Sequence, residues 1–268
     1  MTPRDRLRGL LAGLGAGSAS GLFGVGGGLA LIPVLTGFFK FTQHQAHGTS
    51  LAVIGFTALA ALGVYGAHAN VVWVAAAPMA LGSLVTARIG AQFSARVSPD
   101  RLRRTFALFL MLVALRLFWQ PPEISHAAGL PGIGGTLGYL ALGLAAGLLA
   151  GFMGVGGGIL VVPVLTLVFG MSQQAAQGTS LAVMLVTAPS AALEHSRHGN
   201  VMWRMVPILA VGAALGAPLA AWGAQGLPHA WLTRAFALFL AATGAHTWFR
   251  TDGARRSRPS GSAAGESS

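Results

Sequence analysis

The chain has 268 residues, of which 54% are hydrophobic and 9% charged, with a formal net charge of +11 and no cysteine. A soluble domain carries about 25% charged residues, so this composition excludes a polar, water-exposed surface and points to an all-α membrane protein. Without cysteine there are no disulfides, thiolate metal sites or thiol nucleophiles.

The basic residues sit in short clusters between apolar spans, which is the distribution of membrane loops and not of a nucleic-acid surface. The alternating pattern of a membrane β-barrel is absent. Arg4, Arg6 and Arg8 precede an apolar run and look superficially like a leader. That run has a copy at 135–170, so it reads as part of the fold.

In chain order, the first element is a glycine-broken apolar stretch, Gly9–Phe41, followed by helices near 48–67, 71–93 and 104–119. Gln120–Gly135, with Pro121, Pro122 and Pro131, reads as a linker. A second broken stretch, Tyr139–Met171, is followed by helices near 178–196, 203–224 and 233–249. The Ser-, Gly- and Arg-rich tail from Thr251 to Ser268 reads as disordered. This divides the chain into a membrane repeat at 1–120, a linker at 121–135, a second repeat at 136–250 and a tail at 251–268.

The second half repeats the first at an offset of 130 positions. Val25-Gly26-Gly27-Gly28 returns as Val155-Gly156-Gly157-Gly158, and Gly48–Val53 returns unchanged as Gly178–Val183. His68, Asn70 and Trp73 recur as His198, Asn200 and Trp203, and Phe106–Leu110 as Phe236–Leu240. A duplication of this kind in an apolar chain points to a repeat-built transporter.

The basic residues then distinguish two topologies. If each broken stretch crosses the membrane once, the halves run parallel. If it enters, turns at Gly24–Gly28 and leaves on the same side, the halves are inverted. In the inverted scheme the N-terminal arginines, Lys40, Arg96, Arg101, Arg103, Arg104, Arg197, Arg204, Arg250, Arg255, Arg256 and Arg258 all lie on the cytoplasmic side. Only Arg116 and Arg234 fall near the outer side, which favours inversion. Gly9–Leu22 is 14 residues, about 21 Å as a helix and too short to span comfortably, so a re-entrant hairpin is expected. The location expected is an inner membrane, multi-pass, with both termini cytoplasmic.

Glycine lets a buried chain turn at positive φ, and a helix restarting beyond the break presents free N–H groups and a positive dipole end that hold anions without formal charge. Gly24, Gly26, Gly27 and Gly28, with Gly154, Gly156, Gly157 and Gly158, are therefore expected to bind substrate. Close packing through small residues is the competing explanation. No Lys-Ser/Thr follows, so a nucleotide P-loop does not fit. Thr49, Ser50, Thr179 and Ser180 read as openers of the next helix, able to cap it or to offer hydroxyls to an oxyanion. His44 and His47 match Gln174 and Gln177, so a protonation role for His47 would exist on one side alone. His47, Gln177, Asn70 and Asn200 are secondary site candidates, the last two also fitting interfacial turns beside Trp73 and Trp203. Glu194 fits a salt bridge with Arg197. Scarce buried carboxylates argue against a cation pump, and no catalytic residue, metal or cofactor is expected.

These paired motifs resemble the TauE/SafE sulfite-exporter-like family of bacterial membrane permeases. The resemblance rests on G-V-G-G-G with Pro33 or Pro163, on G-T-S-L from Gly48 or Gly178, on Asn70 and Asn200, and on the Gly82 and Gly212 region, and it spans about residues 7–250. It implies transport of small sulfur oxyanions or organosulfonates, such as sulfite, thiosulfate or sulfoacetate. The expected function is a secondary anion permease working by alternating access, with a small anion and the lipid bilayer as partners, no nucleic acid, and an oligomeric state left open. Arg88, matched by Pro218, is the exception to a site free of formal charge. A channel for a small neutral solute shares the glycine breaks. An intramembrane enzyme using Ser190, His195 or His198 lacks a paired nucleophile and base.

Overall fold

A computed structural model describes residues 3–94, 99–119 and 132–256 of the chain. They form α1 (Pro3–Phe23), α2 (Gly28–Gly37), α3 (Gln43–Ala67), α4 (Trp73–Phe93) and α5 (Pro99–Trp119), then α6 (Ile133–Met153), α7 (Gly158–Leu167), α8 (Gln173–Arg197), α9 (Val206–Gln225) and α10 (His229–Arg256). Each half is thus one broken helix pair followed by three long helices. Most of the expected linker and residues 257–268 of the expected tail lie outside the described residues, and α10 runs past the expected boundary at 250 to Arg256. The chain is a multi-pass membrane protein: α3, α4, α6, α8 and α9 are each long and apolar enough to cross a bilayer.

The first helix of each half packs against the fourth helix of the other. A Cβ placed on Gly13 would lie 2.2 Å from the Leu209 carbonyl oxygen, one on Gly17 2.3 Å from that of Ala213, and one on Gly21 2.0 Å from that of Ala217. The numbers rise together, so α1 and α9 run parallel with their backbones touching. The same contacts recur between Gly143, Gly147 and Gly151 of α6 and Met79, Ser83 and Ala87 of α4. Lipid provides no hydrophobic drive between helices, so a stripe of small residues gains attraction by letting backbones approach closely. Here the small-residue explanation holds, on α1 and α6 and upstream of the breaks.

Equivalent helices α3 and α8 run in opposite directions. A Cβ on Gly48, near the start of α3, would meet the His195 Cβ at 3.0 Å, in the last turn of α8, and the carbonyl oxygen of Asn200, just beyond it, at 2.3 Å. Gly178 meets Asn70 and Tyr65 in the same way. Two equivalent helices packed antiparallel are related by an axis perpendicular to both, so the repeats are inverted. The α4 helix runs parallel to α8, joined by Ser83 with Thr187, Arg88 with Ser190 and Gln92 with Glu194.

The start of α1 lies beside the start of α9, since Gly9 faces Met205 and Ile208. That is the end where α8 finishes and α3 begins. The α1 helix ends at Phe23, with Gly24 beside Gln177 near the start of α8, the chain turns past Ile54 and Met184 at Gly26, and α2 returns to the start of α3. The hairpin is therefore re-entrant. The physical reason differs from the one expected: α1 has 21 residues, about 31 Å, because it begins at Pro3 and not at Gly9. It is the returning α2, and not a short α1, that makes the hairpin turn back. Lys40, Arg197, Arg204 and the N-terminal arginines share this end, whereas Arg116 and Arg234 stand at the other.

Candidate functional site at the two hairpin tips

Both breaks are built from glycines in left-handed conformation. Gly24, Gly26 and Gly27 have φ of 66°, 80° and 71°, and Gly154, Gly156 and Gly157 have 71°, 83° and 82°. Side chains there would be strained. The tips also touch one another. A Cβ on Gly28 would lie 2.8 Å from the Gly154 carbonyl oxygen, and one on Gly158 would lie 2.6 Å from that of Gly24. Gly26 and Gly156 both face Ile54 and Met184, which pack between the tips.

Beyond each break the helix restarts with its amides aimed at this junction. The Gly27 carbonyl accepts from the N–H groups of Ala30 and Leu31, and that of Gly157 from Leu160 and Val161. Among the described hydrogen bonds none uses the N–H of Gly28, Leu29, Gly158 or Ile159, the orphan donors of a helix start. These amides carry no formal charge and share the junction with the Gly24 and Gly154 carbonyls.

The four hydroxyls differ from expectation. Thr49, Ser50, Thr179 and Ser180 do not open their helices. Thr42 caps α3 in a reciprocal arrangement with Gln45, and Ser172 caps α8 through the Ala175 N–H. Both caps precede the G-T-S motif by more than a turn, so the capping role read for the motif is corrected. Within the helices, the Ser50 hydroxyl donates to the Gly154 carbonyl at 2.7 Å and Ser180 to that of Gly24 at 2.9 Å. Thr49 accepts from the Met202 N–H at 3.0 Å and Thr179 from that of Val72 at 2.9 Å. The hydroxyls are struts that tie one repeat to the other.

The side chains with unused donors lie close by. Gln177 is fully buried, packs its Cα on Gly24, and accepts at Oε1 from the Tyr65 hydroxyl at 2.8 Å. Tyr65 also reaches the Gly21 carbonyl at 2.9 Å. The Gln177 Nε2 has no partner among the described residues, and the same is true of Ser20 Oγ, both side-chain polar atoms of Gln173, and Gln225 Nε2. Gln173 is one turn before Gln177, Ser20 adjoins Gly21, and the Asn70 amide donates to Gln225. Buried polar atoms are almost always satisfied, so these unused donors and acceptors stand out, and His229 adjoins them by accepting the Gln173 N–H. Sequence reading singled out Gln177 and Asn70 but missed Ser20, Gln173 and Gln225. The signal available was amide side chains at 173 and 225 inside or beside apolar spans.

At the other end the equivalent positions are filled differently. His47 stands where Gln177 does and packs on Gly154, and His195 stands where Tyr65 does, its Nε2 3.1 Å from the Gly151 carbonyl. Asn200 contributes its backbone, donating to the His195 carbonyl at 2.9 Å. Glu194 pairs with Arg197 at 3.2 Å, as expected, and accepts from Gln92. Arg88 is exposed on α4 and donates from Nε to the Ser190 hydroxyl at 3.2 Å, so Ser190 serves an arginine and not His195. A separate open groove of about 490 Å³ between α1 and α9 is lined by Arg6, Leu7, Leu10, Pro207, Ile208 and Val211, away from the tips. Among the described residues no cluster of His, Asp and Glu is arranged to hold a metal.

Comparison with known proteins matches the family model described as sulfite exporter TauE/SafE over residues 2–117 and 139–266, one segment per repeat. The probable membrane transporter protein YunE of Bacillus subtilis is 29% identical over 237 aligned positions, covering 79% of this chain and 86% of that protein. A probable membrane transporter protein of Xylella fastidiosa is 29% identical over 205 positions, covering 76% and 78%. The probable membrane transporter protein MJ0441 of Methanocaldococcus jannaschii is 26% identical over 165 positions, covering 59% and 60%. No solved structure matches.

Proposed function

The chain belongs to the sulfite exporter TauE/SafE family, and from that premise we propose that it is a secondary permease for small sulfur-containing anions such as sulfite, thiosulfate or organosulfonates. It sits in a bacterial inner membrane with the ends of α1 and α10 that carry the arginines facing the cytoplasm. The anion is held at the junction of the hairpin tips by the N–H groups that open α2 and α7, with Gln177 Nε2 as a side-chain donor. Neutral donors suit a passenger that must also leave, because a buried full charge would bind it more tightly than turnover allows. One observation carries this reading: Gln177 is wholly buried against Gly24 with its amide nitrogen unpartnered, a donor left over where an anion needs one.

Alternating access then follows from the inverted repeats. Ser50 and Ser180 each hold the tip of the opposite hairpin, so a tip moves with the long helix of the other half when the halves rock. The test is transport of labelled sulfite, thiosulfate and sulfoacetate into proteoliposomes containing the full chain. Saturable uptake with mutual competition is expected, and Gln177→Leu should raise the apparent KM several-fold. If no anion moves, or uptake of a neutral solute proceeds without competition from any of them, the channel reading replaces this one.

A further inference from the structure

Resting on the transport reading above, we propose that His47 and His195 form a proton site on one side of the tips, so that the anion crosses together with a proton. The inverted repeat supplies the internal comparison. On one side, Tyr65 bridges the Gly21 carbonyl and Gln177, and Gln177 backs Gly24. On the other, His195 takes the bond to the equivalent carbonyl, Gly151, and His47 backs the equivalent glycine, Gly154. The backbone frame is the same, yet a pair that stays neutral is replaced by two imidazoles, the side chains that change charge between about pH 5 and 8. Both are buried, at 8% exposure for His47 and 2% for His195.

The hydrogen bonds fix where a proton would enter. A carbonyl only accepts, so His195 Nε2 carries the hydrogen facing Gly151 and its Nδ1 is the basic atom. The Gln43 amide nitrogen stands 3.2 Å from His47 Nε2 and donates to it, so charging His47 requires the Gln43 amide to turn and present its oxygen. Among the described residues the charged and titratable groups near the two rings are these. From α3 there is His44, one turn before His47. From α8 there are Glu194 and His198, and Glu194 is already engaged by Arg197, Gln92 and His198. From α4 there is Arg88, held on Ser190. Lys40 and Arg204 lie in connections at the same end. The parts of α6 and α7 near the tip contribute backbone alone.

Two buried imidazoles set against the same hairpin end, at Gly151 and Gly154, do not both charge cheaply, so one proton is taken up. That proton needs a counter-charge, and an anion at the adjacent tip supplies it. By linkage the proton in turn tightens the anion. On the other side Tyr65 and Gln177 keep the equivalent positions neutral, and the imidazole nearest them, His229, accepts the Gln173 N–H at Nδ1 instead of backing a tip glycine, so the two tips are not equivalent in proton uptake. No bond of the anion is made or broken: an imidazole nitrogen gains an N–H as the anion enters and loses that proton to water as the anion leaves.

Thiosulfate is the suitable probe, since it stays a dianion across this pH range and its own protonation does not confuse the result. In proteoliposomes holding the full chain, an imposed proton gradient should drive thiosulfate accumulation. Exchange without a gradient should change about fivefold or more between pH 5 and 8. His47→Gln with His195→Tyr copies the other repeat, whose frame already carries those side chains. Its pH profile should be flat and its proton-driven accumulation lost. Should that double variant fail to fold, His195→Tyr alone decides, because tyrosine makes the same carbonyl bond at position 65. It should lower proton-driven accumulation several-fold. Wild-type exchange that ignores the gradient, or a folded variant with an unaltered pH profile, overturns the proposal alone. Absence of any thiosulfate exchange overturns the transport reading and this proposal with it.

Discussion

Ser50 lends its hydroxyl to the carbonyl of Gly154 at 2.7 Å, across 104 residues of sequence, and Ser180 returns the bond to Gly24 at 2.9 Å. Each repeat thus grips the backbone break of the other. A carbonyl at a helix break has no neighbour in its own helix to satisfy it and no water in lipid, so the partner must be built in.

Removing either hydroxyl should therefore cost stability before it costs chemistry. Ser50→Ala and Ser180→Ala should each lower stability by about 1–2 kcal/mol, read as a fall in the thermal midpoint in detergent. Cysteine, isosteric but a weaker donor, should recover part of the loss. Alanine variants as stable as wild type would show that the tips are held by packing alone.

Gly26→Ala and Gly156→Ala test the tips directly. Each needs φ near 80° and would place a Cβ 2.8 to 3.0 Å from the Met184 sulfur. The left-handed conformation alone costs about 1–2 kcal/mol. Transport should fall by about tenfold or more, and Met184→Ala in the same chain should recover only the steric part. Gly15→Ala is the matched control: its Cβ would meet nothing within 4 Å, and it should stabilise α1 by about 0.5–1 kcal/mol.

Gly17→Val should separate α1 from α9. A Cβ there already lies 2.3 Å from the Ala213 carbonyl oxygen, and overpacking of this kind costs about 1–3 kcal/mol. The copy, Gly147→Val, should be equally harmful, because Ser83 stands in the same relation to it. Unfolding midpoints of the two variants are expected to drop together. A tolerated Gly17→Val would mean that the two helices do not touch in the membrane.

Topology can be read by labelling, because the natural chain has no cysteine to remove. Lys40→Cys and Arg204→Cys should react with an impermeant maleimide from the cytoplasmic side, and Leu227→Cys from the other. Reaction of Lys40→Cys and Leu227→Cys from one side would refute the re-entrant hairpin.

Much of the fold was legible in the sequence because it is written twice. Any misreading of one copy had to survive in the other, and the glycine-broken stretch followed by three apolar runs did so. Helix ends were less legible. Gly48-Thr49-Ser50 has the chemistry of a cap, but so has Thr42 with Gln45, and only the observed start of α3 separates them. Gln177 was legible as a polar residue in an apolar setting, whereas the roles of Ser20, Gln173 and Gln225 depend on helices from both halves meeting.

By itself the sequence determined that this is a helical membrane protein made of two like halves with charge-free breaks, since composition, repetition and glycine are local properties. The distribution of arginines already favoured opposite directions for the two halves, because loop charge is a local property too. The partner that each hydroxyl serves was decided by tertiary structure alone: it depends on groups more than a hundred residues apart arriving at the same place, and no local pattern encodes that encounter. The antiparallel meeting of α3 with α8 turns a duplicated segment into an inverted one, and with it two glycine breaks into a single junction.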